Sequence, residues 1–317
     1  MTILLTGIAG FIGSHTAKKL LERGHKVIGI DNFNDYYDPK IKEDRIKTFL
    51  SGFDFDLLRG DITDNNFLDK VFLSNKIDII CHLAAQAGVR YSLENPGVYI
   101  NTNILGTNNI FEMARKHGPN KIVYASSSSV YGGNTKMPFS EIDDIGSPLA
   151  LYAVSKRTNE LQAKAYNHLF GINSIGLRFF TVYGPWGRPD MALFKFTEAI
   201  LNDRPIDVFN MGNHKRDFTY IDDIVSGIVA ALDNCNGCEI YNLGYGSPTS
   251  LSDYIFLIEK RLRREARKNY LPLQPGDVEQ TYADITKARN KLGFDPKVKP
   301  EEGINNFIDW YLDYNKI

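Results

Sequence analysis

Gly7-Ile8-Ala9-Gly10-Phe11-Ile12-Gly13 follows the apolar run Ile3-Leu4-Leu5 and leads into Ser14 to Glu22, where Ile12, Ala17, Leu20 and Leu21 recur near helical spacing. Gly24 ends that helix, and Lys26-Val27-Ile28-Gly29-Ile30 is a second strand. The unit is strand, glycine turn, helix, strand. Its G-x-x-G-x-x-G spacing is a variant of the turn that lets backbone approach a pyrophosphate at a helix N-terminus, where free N–H groups and the helix dipole favour an anion. The same glycines also describe an ordinary tight strand-to-helix turn. Context favours the dinucleotide: Asp31 closes the second strand where a carboxylate accepts hydrogen bonds from a ribose diol. That carboxylate repels a 2′-phosphate, and Asn32-Phe33-Asn34 brings no arginine to hold one, so the expected cofactor is NAD rather than NADP.

The alternation continues outward from this turn. Phe53 to Arg59 reads as a third strand running into Gly60-Asp61-Ile62, and Ile77 to Leu83 as a fourth, followed by the small residues Ala84-Ala85-Gln86-Ala87-Gly88. His82, inside that apolar strand, reads as a satisfied core histidine. Pro96 opens a long helix through His117, Lys121 to Ala125 is a fifth strand ending in Ser126-Ser127-Ser128-Ser129, and Ile172 to Phe179 is a sixth. Past this point the pattern loosens into a helix and a short strand within 190–219, a helix from Ile221 to Leu232, a strand from Glu239 to Leu243 and helices over 250–317. The predicted fold is α/β: a Rossmann-type doubly wound parallel sheet with a smaller C-terminal α/β domain. Residues 1–180 would hold the dinucleotide, with a segment near 220–245 returning to the sheet, and 181–317 would mainly hold the substrate.

With 317 residues, 43% hydrophobic and 24% charged, the chain can bury a substantial core. A net charge of -1 without a long basic block favours neither nucleic acid nor an anionic membrane. The first residues lack a basic n-region and a long apolar h-region, and no segment approaches a membrane span, so a soluble cytoplasmic protein is expected. Cys235-Asn236-Gly237-Cys238 lacks the second ligand pair of a zinc site, and Cys81 sits in an apolar run, so no metal is expected.

Chemistry concentrates at Tyr152-Ala153-Val154-Ser155-Lys156, in a helix beginning near Leu149. Positions four apart on a helix share one face, so phenol and ammonium can share a site; a tyrosine is a poor base at neutral pH unless a cation favours its phenolate. Tyr-x-x-x-Lys alone is common, but here it lies opposite the serine loop at the edge that carries the glycine turn.

Together these residues resemble the extended short-chain dehydrogenase/reductase family, and within it the nucleotide-sugar 4-epimerases, over essentially the full length. The matching motifs are Gly7-x-x-Gly10-x-x-Gly13, Asp31, Asp61-Ile62, Leu83-Ala84-Ala85-Gln86-Ala87, Asn101, the serine loop with Val130-Tyr131-Gly132, Tyr152-x-x-x-Lys156 and Arg216-Asp217-Phe218. Asp31 to Asp38, Gln86 to Ser92 and Arg178 to Ala192 look closest to UDP-glucuronate 4-epimerases. The resemblance implies Tyr152 as base, Lys156 lowering its pKa and holding the nicotinamide ribose, and Ser127 bridging the sugar oxygen to Tyr152. It implies NAD contacts from Gly7, Gly10, Phe11, Ile12, Gly13, Asp31, Asn32, Asp61, Ile62, Leu83, Ala84, Ala85, Gln86, Asn101, Ser126, Tyr152, Lys156 and Phe180. UDP-sugar contacts would come from Ala87, Arg90, Ser127, Ser128, Tyr152, Thr181, Arg188, Arg216, Gln274 and Asp277.

Arg216 matches the family's diphosphate arginine, whereas the second arginine that many members carry close to Gln274 is missing. A sugar carboxylate would find neutral donors in Thr181, Ser127 and Ser128 and charged ones in Arg188 or Arg90. Competing readings are 4-epimerisation of UDP-glucose or UDP-N-acetylglucosamine, UDP-glucuronate decarboxylation, a 4,6-dehydratase, and a non-catalytic NAD-binding module. The dehydratase expects an acid where Ser128 stands. A homodimer is expected by resemblance, through the helix at 96–117 and the one carrying Tyr152.

Overall fold

The computed structural model describes residues 1–274 and 276–317; Pro275, in the turn expected at Pro272 to Asp277, lies outside the described residues. Seven strands form one parallel sheet: β1 (Thr2–Thr6), β2 (Lys26–Asp31), β3 (Asp56–Arg59), β4 (Ile79–His82), β5 (Lys121–Ser127), β6 (Asn173–Phe179) and β7 (Cys238–Leu243). Their order is β7-β6-β5-β4-β1-β2-β3, so the direction of winding reverses between β1 and β4. Such a reversal opens a crevice at the carboxyl edge of the sheet.

Side-chain alternation along the central strands divides the interior in two. Ile3 and Leu5 face one layer with Val27, Cys81, Val123 and Leu177, while Leu4 faces the other with Ile28, Ile80 and Ile122. Helices α1 (Phe11–Glu22) and, further along the chain, α7 (Ile221–Asp233) cover the first layer through Phe11, Leu20, Ile224 and Ile228. The second is covered by α3 (Asn65–Ser74), α4 (Gly106–His117) and α5 (Leu151–Phe170), through Leu68, Phe111 and Ala163. The near-continuous apolar runs of β1, β2 and β4 reflect burial on both faces. Each fully buried aliphatic side chain there contributes about 1.5–3 kcal/mol of transfer free energy.

Register sets the carboxyl edge. Thr6 pairs with both Ile30 and His82, and Ser127 with Phe179, which pairs in turn with Leu243. The glycine turn, Asp31, Leu83, the serine loop and Phe180 therefore emerge along one rim.

The sequence expectations need adjustment at several points. The third strand pairs only over Asp56–Arg59, because 50–53 is a turn closed by the Phe53 N–H on the Leu50 carbonyl. The helix opened by Pro96 is π-helical over Tyr99–Leu105 before it becomes α4. Helices α2 (Lys40–Leu50) and α3 were not singled out by the sequence reading.

Beyond Phe180 lie α6 (Ala192–Leu201), α8 (Leu251–Leu262), α9 (Thr286–Leu292), α10 (Pro300–Asn315) and three small strand pairs, 181–183 with 218–220, 206–208 with 268–270, and 215–216 with 249–250. No helix among the described residues is long and apolar enough to cross a membrane.

Candidate active site

A cleft of about 1130 Å³ runs along the carboxyl edge of the sheet and under the C-terminal elements. That exceeds the few hundred to about 1,000 Å³ of a typical single-ligand pocket. One half begins at the glycine turn. Gly7 has φ +75°, and a Cβ there would stand 2.8 Å from the Ala84 nitrogen; one on Gly13 would stand 1.9 Å from the Gly7 oxygen. Glycine is thus required both for the turn and for helix α1 to start this close to β1. Gly10 caps α1 without a side-chain hydrogen bond, which leaves the first N–H groups facing the cleft.

Asp31 fixes the turn from the next strand. Its carboxylate accepts from the Ala9 N–H at 3.0 Å and the Phe33 N–H at 2.8 Å. Burial raises its pKa, against those two N–H groups and the Lys42 and Arg45 cations. Below the turn, His82 lies between Thr6 Oγ1 at 2.7 Å and Thr107 Oγ1 at 3.0 Å, and burial pushes its pKa down to about 3. It is a neutral, satisfied core histidine, as its apolar strand suggested. Thr6 Oγ1 also accepts the Ala84 N–H at 3.1 Å, which fixes the Leu83 to Ala85 floor. An open helix N-terminus, glycines that admit close approach and a carboxylate at the end of β2 fit the pyrophosphate and ribose of a dinucleotide.

The candidate reactive groups stand at the end of β5 and on α5. Lys156 is buried, and its ammonium donates to the Ala125 carbonyl at 2.9 Å. Desolvation pushes its pKa down to about 8. Burial raises the pKa of Tyr152, while the Ser127 hydroxyl and the Arg188 guanidinium pull it down. Ser127 accepts from the Ser129 N–H and donates to Ser129 Oγ, both at 3.1 Å. One helical turn beyond Lys156, Glu160 accepts from Ser126 Oγ at 2.7 Å and pairs with Arg178 at 2.8 and 2.9 Å, all three groups being buried. That network pins the strand end from which the serine loop springs.

The other half of the cleft is lined by Arg90, Thr181, Arg188, Met191, Lys195, Phe209, His214, Arg216 and Asp277 among others. Arg188 is paired twice with Asp190, through Nε at 2.9 Å and through Nη2. Tyr36 also donates to Asp190 at 3.2 Å. Arg216 donates to Asp277 at 2.8 Å and to the Val278 and Glu279 carbonyls at 2.6 and 2.9 Å. Arg90 is exposed, stacks 4.7 Å from the Phe209 ring centre and reaches Asp277 at 3.9 Å.

All the residues expected from the sequence line this cleft except three. Asp61 is not among the lining residues: it accepts from Asn32 Nδ2 at 2.8 Å, beside the cleft, and from the Thr63 N–H and hydroxyl, while Ile62 lines the cleft. Asn101 is exposed on the outer side of the π-helical turn. Thr102 lines the cleft instead, and Asn103 holds Gln86 through its N–H at 2.8 Å and carbonyl at 3.0 Å. Gln274 lies outside the lining, with its carbonyl accepting the Asp277 N–H at 3.2 Å. The sequence reading missed Tyr36, Lys42, Asp190, Lys195, Phe209 and His214 as lining residues. Of these, only Tyr36 and Asp190 fall inside stretches that carried the resemblance, where their spacing was a usable signal. No group of three or more His, Cys, Asp or Glu able to hold a metal occurs among the described residues.

The sequence model of the NAD dependent epimerase/dehydratase family matches residues 3–244. Protein CapI of Staphylococcus aureus is 50% identical, with 100% of both chains covered. UDP-glucuronate 4-epimerase 4 of Arabidopsis thaliana is 46% identical over 99% of this chain and 76% of its own length. The crystal structure of UDP-glucuronic acid 4-epimerase from Bacillus cereus, in complex with UDP-glucuronic acid and NAD, superposes with a TM-score of 0.93 at 37% identity, covering 99% of this chain and 100% of that one.

Proposed function

The chain belongs to the NAD-dependent epimerase/dehydratase family, and from that premise we propose that it interconverts UDP-glucuronate and UDP-galacturonate by inverting C4. The carrying observation is one of composition around the base. Tyr152 shares its cleft with Ser127, Ser128 and Thr181 as neutral donors and with Arg188, a cation that acts on its phenol. A neutral sugar needs Ser127 at its 4-oxygen but not the further donors Ser128, Thr181 and Arg188, whereas a C5 carboxylate does.

NAD, when bound, would supply reversible hydride chemistry at C4, so that the isomerisation has no net redox change. Tyr152 removes the 4-hydroxyl proton and later restores one, with Ser127 holding the sugar oxygen toward it. Lys156 keeps the end of β5 in place through Ala125 and presents the ammonium that the nicotinamide ribose would meet. Gly7, Gly10, Gly13 and Asp31 hold the dinucleotide. Arg216, with Arg90, is the charge available to the diphosphate. The 4-keto-uronate is a β-keto acid; Thr181, Ser127 and Ser128 hold its carboxylate near the ring plane, out of alignment with the ketone π system, and so suppress loss of CO₂.

We assign residues 1–180, with the returning 220–245 segment, to the cofactor and 181–317 mainly to the UDP-sugar. The chain pairs with a second copy. Supporting this, Ile100 and Leu105 on one helix and Leu151, Val154 and Leu161 on α5 are exposed apolar side chains on adjacent elements. Three free cysteines suit a reducing cytoplasm.

The test is incubation of purified protein with UDP-glucuronate, UDP-glucose or UDP-N-acetylglucosamine, with and without added NAD, and NMR of the products. Conversion of UDP-glucuronate alone to its C4 epimer is expected; CO₂ and UDP-xylose as the main products would replace the assignment with a decarboxylase. Tyr152→Phe retains NAD and loses about 10²–10⁴-fold in turnover.

A further inference from the structure

We propose that Arg45 is a positioning residue that fixes the substrate loop at Trp186–Arg188 against the dinucleotide turn at Ala9, and acts on the sugar through Arg188. The inference rests on the C4-epimerase reading and extends it to a residue of α2. Arg45 is fully buried, yet none of the ion pairs among the described residues includes it. Its donors go to neutral acceptors: Nε to the Trp186 carbonyl at 3.1 Å, Nη2 to the same carbonyl at 2.7 Å and to that of Gly187 at 3.3 Å, Nη1 to the Ala9 carbonyl at 3.2 Å and to Tyr37 Oη at 2.8 Å. A guanidinium taken out of water with no carboxylate in direct contact is costly, the Asp31 carboxylate that its charge reaches being bound instead to the Ala9 and Phe33 N–H groups, and its rigid fork suits several fixed carbonyl groups at once in a way an ammonium does not.

The segments it joins are the ones the reaction must keep in register. Ala9 is held on both sides, its N–H by Asp31 at 3.0 Å and its carbonyl by Arg45. Trp186 has φ +62°, a conformation a bulky residue adopts only when its surroundings enforce it. The Arg45 fork on its carbonyl and the packing of its ring against Phe49, Trp310 and Tyr314 supply that enforcement. Two residues later comes Arg188, pointing into the cleft beside Asp190. With Arg45 in place, the guanidinium that faces the sugar is referenced to the same residue that positions the cofactor turn.

If so, loosening Arg45 lets the 4-keto-uronate carboxylate leave the ring plane. The C5–carboxyl bond then breaks, CO₂ departs, and the electron pair forms an enolate that takes a proton at C5; with NAD bound, the C4 ketone would be reduced back to the carbinol, its oxygen taking a proton from Tyr152, which gives UDP-pentose. The measurement is therefore product partition, the ratio of UDP-pentose to UDP-galacturonate formed from UDP-glucuronate by the NAD-loaded enzyme. A ratio does not depend on how much enzyme is folded. Arg45→Lys is expected to raise it about tenfold, below the roughly 10²-fold that a full 1 Å misplacement can cost, since the lysine keeps the charge and part of the fork's contacts. The same change in an Arg188→Ala background is expected to add nothing. Tyr37→Phe, which deletes one acceptor and leaves the cation, should move the ratio in the same direction by less, and it carries the test should Arg45→Lys not fold. An unchanged ratio in the folded variants, or a full additional rise in the Arg188→Ala background, overturns the proposal. Failure of the parent enzyme to epimerise UDP-glucuronate overturns the underlying reading instead.

Discussion

Lys156 carries a cost that can be measured. Its ammonium is buried and desolvation lowers its pKa to about 8 from an ordinary value near 10.5, so the folded protein binds that proton less well than the unfolded chain. The penalty is therefore fully present below about pH 8 and fades as pH rises toward 10.5. Lys156→Met should stabilise the NAD-free protein at pH 7 by roughly 1–3 kcal/mol, and that gain over the parent should shrink in urea titrations between pH 8 and 10.5. A gain that is flat across that range would remove desolvation as its cause. Thr181 is argued from chemistry alone: Thr181→Ala removes a donor to the sugar carboxylate and should raise UDP-pentose several-fold, on the scale of one neutral hydrogen bond of about 1 kcal/mol, read from the NMR product ratio. At this scale the sequence marks Ser127, Tyr152 and Lys156 as candidates by local pattern but not their surroundings. Arg188 was expected to face the sugar; that Asp190 and Tyr36 hold it is a matter of side chains meeting across loops.

At the level of elements, the π-helical turn Tyr99–Leu105 decides which asparagine faces inward. Asn101 is a residue carried over from the family resemblance, and an i→i+5 turn shifts the side chains around the axis relative to a regular α-helix. Asn101 consequently faces solvent, and Asn103 enters the core to bond Gln86 and Ser155 Oγ at 3.0 Å. Asn103→Ala leaves those buried partners unsatisfied and should cost about 2–3 kcal/mol in denaturant unfolding, together with faster loss of bound NAD, measured by the absorbance of the released cofactor. Helix α2 escaped notice for a related reason: Lys42 and Arg45 occupy buried positions, so its apolar stripe is interrupted by charge. The central strands gave no such trouble, since burial on both faces leaves them almost purely apolar.

For the whole molecule, the exposed apolar side chains of α5 bear on assembly. Leu151, Val154 and Leu161 fall within one narrow face of that helix, beside Ile100 and Leu105 of its neighbour. Leu161→Glu should convert the expected dimer to a monomer in sedimentation at micromolar concentration while the far-UV circular dichroism stays unchanged; a parent that already sediments as a monomer would remove the assembly proposal. The sequence by itself determined the alternation of strands and helices and the glycine turn, and it marked Asp31 and the Tyr152-x-x-x-Lys156 step as candidates, because each is a local pattern legible from spacing along the chain. Only the tertiary structure decided that the returning strand β7 pairs with β6, that Asp61 bonds Asn32 and Thr63, that Asn103 rather than Asn101 faces inward, and that Arg45 joins Ala9 to Trp186. Apart from Asp61 with its near neighbour Thr63, those contacts link residues well separated in sequence, and most of their partners are backbone groups or common polar side chains that no spacing marks.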